Sequence, residues 1–199
     1  MNPKTIKKEL ARCAGELASE DLVSGGAGNI SARAGKQIYI KKAAIRFKQA
    51  EPKDFVNIKN RKQVSAEWRL HLYCYKARPD IKTVVHTHPV AVLSLASMGM
   101  KIKPVTVDFA VYFKNGIKYT KFALPGSKNL AELTAKAIKN YDGVILSNHG
   151  LVTVGTSLKE ATLRSIIAER EAKIILAAKL LNRRIRNLTK SQLKSIYKL

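Results

Sequence analysis

Ile81-Lys82-Thr83-Val84-Val85-His86-Thr87-His88-Pro89 is the stretch on which the fold turns. An apolar run ends in two histidines one residue apart and is closed by proline. It reads as a short buried strand that stops at a polar site. On a strand, residues i and i+2 share a face, so His86 and His88 aim together while Thr87 points away. A second apolar run, Val144-Ile145-Leu146, ends the same way in Ser147-Asn148-His149-Gly150. Glycine after His149 relieves crowding beside the imidazole and lets the backbone turn tightly.

The chain holds only four histidines, and three of them end strands. His86, His88 and His149 make the ligand set of a catalytic zinc site with one open position. Manganese or another divalent transition metal would also accept imidazole. The competing reading is three hydrogen-bonded core histidines. His71 lies inside a helical pattern and reads as structural. Glu67 is the candidate carboxylate beside the metal. It is expected in the first turn of its helix, where the dipole favours negative charge.

Working outward, Asn2-Pro3 starts a helix, with Asn as N-cap and Pro at the first position. Ile6, Leu10, Cys13, Ala14, Leu17 and Ala18 continue it at helical spacing. A glycine-rich loop, Ser24-Gly25-Gly26-Ala27-Gly28-Asn29, enters a strand at Ile30-Ser31. Gln37–Ile40 is its partner across the turn 34–36. Ser65 is the expected N-cap of a helix that ends near Arg78, because Pro79 disfavours helical geometry before it. Further helices are expected over about 91–98, over 127–140 after Pro125-Gly126-Ser127, and from Ser157 to about Leu181. Ser157 and Glu160 are placed as a capping box. Residues 102–107 and 111–119 read as strands or loops. Hairpins among irregularly alternating helices and strands favour a sheet with antiparallel pairs, covered by helices.

At 199 residues the chain fits one domain with a sizeable core, ending in a basic tail from about residue 182. No run of about 18 apolar residues exists to span a membrane. The N-terminus lacks a signal peptide's apolar core. Cys13 and Cys74 form no Cys-x-x-Cys and no disulfide framework. A reduced, cytoplasmic protein with no membrane partner is expected. Lys and Arg number 37 against 14 acidic residues, a net charge of +23. That charge favours anionic partners such as phosphorylated metabolites. The basic residues are scattered and no nucleic-acid motif accompanies them, so nucleic acid is not the expected partner.

Several blocks, in order, resemble the class II aldolase/adducin family, which includes fuculose-1-phosphate aldolase and ribulose-5-phosphate 4-epimerase. They are Leu22–Arg33, Ser65-Ala66-Glu67-Trp68-Arg69-Leu70-His71, Ala77-Arg78-Pro79-Asp80 running into Val84–Pro89, Pro125-Gly126-Ser127, and Ser147–Gly150. The resemblance spans about Asn2 to Leu181. It implies a three-layer α/β/α sandwich with a central, largely antiparallel sheet, and a homo-oligomer, usually a tetramer. It implies that His86, His88 and His149 hold zinc and that Glu67 contacts the metal and serves as acid/base. It further implies that Gly28, Asn29 and Ser65 cradle a substrate phosphate.

The implied activity is retro-aldol cleavage of a small sugar phosphate through a metal-stabilised enediolate. A 4-epimerase or a dehydratase/decarboxylase would use the same metal site. A non-catalytic adducin-like or nucleic-acid-binding module is the remote alternative. Two segments depart from the family pattern. Where many members carry a hydroxyl-glycine loop, this chain has Ile40-Lys41-Lys42-Ala43-Ala44, with Lys42 the candidate replacement phosphate ligand. Phe122 stands where aldolases often place a proton-donating tyrosine, with Tyr119, Tyr112 and Tyr197 as possible substitutes.

Overall fold

The computed structural model describes residues 2–198. Its frame is a seven-stranded sheet in the order β3-β2-β1-β4-β7-β6-β5. The strands are β1 (Asn29–Ala34), β2 (Gln37–Lys41), β3 (Phe55–Asn57), β4 (Thr83–Thr87), β5 (Lys118–Tyr119), β6 (Gly143–Leu146) and β7 (Gly150–Gly155). All neighbours pair antiparallel except β5 and β6. The histidine strand β4 is central, clasped between β1 and β7.

Among the described residues seven α-helices complete the fold: α1 (Pro3–Ser19), α2 (Trp68–Ala77), α3 (Val90–Ser97), α4 (Val107–Tyr112), α5 (Lys128–Ile138), α6 (Leu158–Leu180) and α7 (Lys190–Ile196). Strand alternation sorts their burial into two faces. Val84, Val144, Leu146, Val152 and Val154 point to one side, against Leu70 and Cys74 of α2 and Leu130 and Ile138 of α5. Val85 points to the other side, with Leu10 and Leu17 of α1 and Leu158 and Ala161 of α6. Ile145 and Leu151 share that second side with α3, Phe109 of α4 and Ile167 of α6. The result is the expected three-layer α/β/α sandwich.

The helix starts obey local chemistry. Asn2 caps α1 by accepting from the Thr5 amide at 2.8 Å, with Pro3 at the first position. Ser127 caps α5 through the Leu130 amide at 3.1 Å, and Ser157 caps α6 through the Glu160 amide at 3.1 Å. Only half of the expected capping box forms at Ser157. The Glu160 carboxylate turns to the Thr156 amide at 2.7 Å instead.

Three other expectations are corrected. Helix α2 begins at Trp68 rather than near Ser65, and Glu67 occupies its N-cap. Ser65 instead opens the turn that leads into α2, its hydroxyl accepting from the Glu67 amide and the Asn29 side chain. Where 102–107 and 111–119 read as strands or loops, Val107–Tyr112 is the helix α4, with Thr106 as N-cap, and Lys118–Tyr119 is the strand β5. The stretch from 182 is no free tail. It contains α7, and Leu188 and Tyr197 bond back to Pro104 and Lys114. Cys13 and Cys74 are free and buried. Among the described residues no helix is long and apolar enough to cross a membrane.

Candidate metal centre

The β1–β4 register sets Asn29 opposite His86 and Ser31 opposite Val84. Asn29, Ser31 and His86 therefore share the sheet face that α2 covers. His88 follows the strand end, and His149 enters from the turn between β6 and β7. Their ligand nitrogens all lie within 4.8 Å of one another. His86 Nε2 and His88 Nε2 are 3.0 Å apart. From the cap of α2, Glu67 sets Oε2 3.0 Å from His86 Nε2 and Oε1 3.4 Å from His149 Nε2. The structure thus gathers the three histidines and the carboxylate that the sequence singles out.

Two glycines allow this approach. A Cβ at Gly150 would fall 2.5 Å from the Thr87 carbonyl oxygen and 2.7 Å from ring carbons of His86 and of His88. The left-handed backbone of that turn belongs to Asn148, with φ of 55°, a residue type that tolerates it. At Gly28, with φ of +74°, a Cβ would fall 2.8 Å from the His86 carbonyl oxygen.

The donor set fits a divalent metal. His86 Nδ1 lies 3.1 Å from the Leu151 carbonyl. A carbonyl only accepts, so Nδ1 carries a proton and Nε2 is the atom turned to the site. There it meets His88 Nε2 and a carboxylate oxygen, a crowd of lone pairs that needs a cation or a proton at its centre. Glu67 Oε1 is buried with no hydrogen-bond partner. Burial pushes the His88 pKa down to about 4 and lowers that of His149, with repulsion from His86 next in weight. Both rings are thereby kept neutral, the state that binds metal. Burial would raise the Glu67 pKa, but attraction from His86, then its hydrogen bond, then His149 and Asn29 hold it well below the usual carboxylate range. Glu67 is ionised at neutral pH.

Residues 8–176 match the family described as Class II Aldolase and Adducin N-terminal domain. The chain belongs to that family. A Methanocaldococcus jannaschii protein named L-fuculose phosphate aldolase is 31% identical over 176 residues, which is 85% of this chain and 95% of that one. An Escherichia coli protein named 5-methylthioribulose-1-phosphate/5-deoxyribulose-1-phosphate aldolase is 28% identical over 163 residues, 79% of this chain and 76% of that one. A solved L-fuculose 1-phosphate aldolase superposes with a TM-score of 0.87 at 26% identity, covering 100% of this chain and 97% of that one.

Against that aldolase frame, the expected phosphate residues behave differently from one another. Asn29 is 2% exposed. Its amide NH2 donates to Glu67 Oε2 at 3.1 Å and to Ser65 Oγ at 3.2 Å. Lys42 directs its ammonium to Asp54 at 3.5 Å. Lys41 is 1% exposed and donates to the carbonyls of Ile45 at 2.5 Å, Lys42 at 3.3 Å and Gly26 at 3.5 Å. It ties the 42–45 loop to the glycine-rich loop. Ala44 takes the left-handed backbone that a glycine would favour, with φ of 60°.

The proposed stand-ins for a tyrosine at Phe122 are otherwise engaged. Tyr119 donates to the Met100 carbonyl and accepts from the Ile102 amide, both at 3.1 Å. Tyr197 bonds the Lys114 carbonyl at 3.1 Å. Tyr112 packs against the cluster around Phe109. Phe122 itself is 58% exposed.

An open cleft of about 360 Å³, lined by Val90, Leu93, Ser94, Ser97 and Asn148, adjoins the histidines through Asn148. A second cleft, about 500 Å³, lies at the opposite end of β4 around Thr83 and Leu158. It has no part in the histidine site.

Proposed function

We propose that the chain is a metal-dependent aldolase that cleaves a small ketose phosphate by a retro-aldol reaction. The observation that carries this reading is the Glu67 carboxylate at 3.0 Å and 3.4 Å from two of three converging histidines. A divalent transition metal held by His86, His88 and His149, with zinc foremost and manganese the alternative, would supply Lewis-acid polarisation of the substrate carbonyl.

The chain's own groups supply the rest. Retro-aldol cleavage of a ketose 1-phosphate takes the proton from the C4 hydroxyl, breaks C3–C4 and leaves the electron pair on C3. A proton must then return to C3. Glu67 is ionised and carries an unpartnered Oε1, so it can accept a proton at that atom and give it back. The NH2 of Asn29 holds Oε2 and leaves Oε1 free for this work.

Gly28 and Ser65 are the assigned phosphate contacts, the first through its backbone amide, and Ser65 Oγ shares the Asn29 NH2 with this carboxylate. The Asn29 side chain is fully used, so its contribution to phosphate would be its backbone. Lys42 would have to leave Asp54 to contribute.

Exposed Val90, Met98, Val107, Val111, Phe122 and Leu124 support assembly with further copies of the chain. A tetramer is the assigned state, and the cytoplasm is the assigned compartment, consistent with two buried free thiols.

The test is incubation with zinc or manganese and a panel of fuculose-, rhamnulose- and ribulose-type 1-phosphates. Release of dihydroxyacetone phosphate supports the aldolase. An isomerised ketose phosphate would assign an epimerase instead. No turnover by metal-loaded protein on any of these would defeat the reading.

A further inference from the structure

Beneath the site lies a buried polar chain that the proposed proton transfer leaves unused. Glu67 Oε2 accepts from Asn29 Nδ2 at 3.1 Å. Asn29 Oδ1 meets His71 Nε2. His71 Nδ1 lies 2.7 Å from Ser31 Oγ, and Ser31 Oγ lies 2.9 Å from the Tyr75 hydroxyl. Tyr75 also reaches the Lys82 carbonyl at 3.4 Å. His71 and Ser31 are fully buried, and Asn29 and Tyr75 are 2% exposed. His71 is outside the metal cluster.

The proton positions follow from counting donors and acceptors. Both N–H groups of Asn29 face acceptors, Glu67 Oε2 and Ser65 Oγ. Its Oδ1 must accept, so the proton of His71 sits on Nε2. His71 Nδ1 then accepts from the Ser31 hydroxyl, and Ser31 accepts from Tyr75. Burial first, then repulsion from His86, pushes the His71 pKa down to about 3, so the ring is neutral with one fixed tautomer. A flipped Asn29 amide would press its NH2 against the His71 N–H. It would also turn Oδ1 onto the Glu67 carboxylate, acceptor against acceptor.

We propose that His71 is a positioning residue: its Nε2–H fixes the orientation of the Asn29 amide, and that amide holds the Glu67 carboxylate in place for proton transfer. The role deepens the aldolase reading for its catalytic consequence, but its structural half can be read on metal-free protein.

The experiment compares wild type with His71→Leu, which removes both ring hydrogen bonds, and His71→Gln, whose side-chain NH2 can donate to Asn29 Oδ1. The first readout is nitrogen-detected NMR of the metal-free protein. Wild type should show a neutral Nε2–H tautomer at His71 and a slowly exchanging Asn29 side-chain amide. His71→Leu should lose that protected amide and His71→Gln should keep it. The second readout is turnover of metal-loaded protein with the best substrate of the panel. His71→Leu should lower kcat about 10- to 100-fold with KM and bound metal little changed, the scale of outer partners that orient a site. His71→Gln should recover most of that loss. In an Asn29→Ala background, His71→Leu should cost little more, because the two act in series.

A protonated or Nδ1–H ring in wild type overturns the proposal. So does a folded His71→Leu protein with wild-type kcat, or a His71→Gln protein as impaired as His71→Leu. If His71→Leu does not fold, Ser31→Ala removes the contact at Nδ1 alone. The Nε2–H tautomer and the protected Asn29 amide should persist there, because Asn29 Oδ1 sets them, and their loss overturns the proposal. Failure of every substrate in the panel leaves the NMR outcomes intact and counts against the aldolase reading only.

Discussion

Asn29 and His86 stand directly opposite each other in the β1–β4 ladder, and Glu67 Oε2 bridges them, 3.1 Å from the Asn29 amide and 3.0 Å from the His86 ring. One cross-strand pair therefore places both the metal-facing imidazole and the group that aims the carboxylate. Glu67 reaches that pair from the N-cap of α2, where its backbone is not yet helical, with φ of −90° and ψ of 15°.

The carboxylate's charge, rather than its shape, should matter for turnover. Glu67→Gln preserves volume and can still bond Asn29 through its carbonyl oxygen. It should keep the fold and most of the bound metal while lowering kcat by about 10²- to 10⁴-fold, the usual worth of a positioned acid/base. Metal analysis alongside steady-state kinetics checks this. Undiminished turnover would remove Glu67 from the mechanism.

The glycine after His149 should be among the least replaceable residues in the chain. Gly150→Ala puts a methyl 2.5 Å from the Thr87 carbonyl oxygen and 2.7 Å from two imidazole rings. Backbone and rings must shift, at a cost of about 1–3 kcal/mol for such overpacking. Urea denaturation should show the loss, and zinc titration should show weaker binding because the rings no longer converge. Unchanged stability and affinity would mean that the sheet yields at no cost.

Much of this arrangement is legible in the sequence, because the signals are local. The apolar run before His86, the Asn2-Pro3 cap and the apolar run of β6 each declare an element within a few residues. Helix α4 does not declare itself. At six residues it is too short for a helical period. It is held from a distance by Glu171 of α6, whose carboxylate accepts from the Val105 and Thr106 amides and the Thr106 hydroxyl. Helix α7 carries a readable signal, the Thr189–Gln192 capping box, inside a segment whose basic composition suggests a tail. His71 shows nothing of its role locally, since Asn29 and Ser31 meet it only through β1, which precedes it by about 40 residues.

The loop that departs from the family pattern should carry backbone strain. Ala44 is left-handed at φ of 60°, which costs a residue with a Cβ roughly 1–2 kcal/mol. Ala44→Gly removes that strain and adds some unfolded-state entropy. The net should be a gain of up to about 1 kcal/mol, seen as a higher urea midpoint. A loss of stability would show that the methyl packs usefully.

Lys41 should make stability depend on alkaline pH in a predictable sense. Burial pushes its folded pKa down from the usual 10.5 to about 8, partly offset by attraction from Asp54. Between about pH 8 and 10.5 the unfolded chain keeps the proton while the folded chain has released it. Stability contributed by this residue therefore rises with pH across that window. Below pH 8 both states are protonated and the cost of burying the ammonium is felt in full, against its three carbonyl contacts. Other lysines titrate in the same range, so the informative quantity is the difference between wild type and Lys41→Met. That difference should shift in favour of wild type as pH rises from 7.5 to 10 in urea titrations. The opposite slope, or none, would mean that the Lys41 ammonium is as well solvated by its carbonyls in the fold as by water.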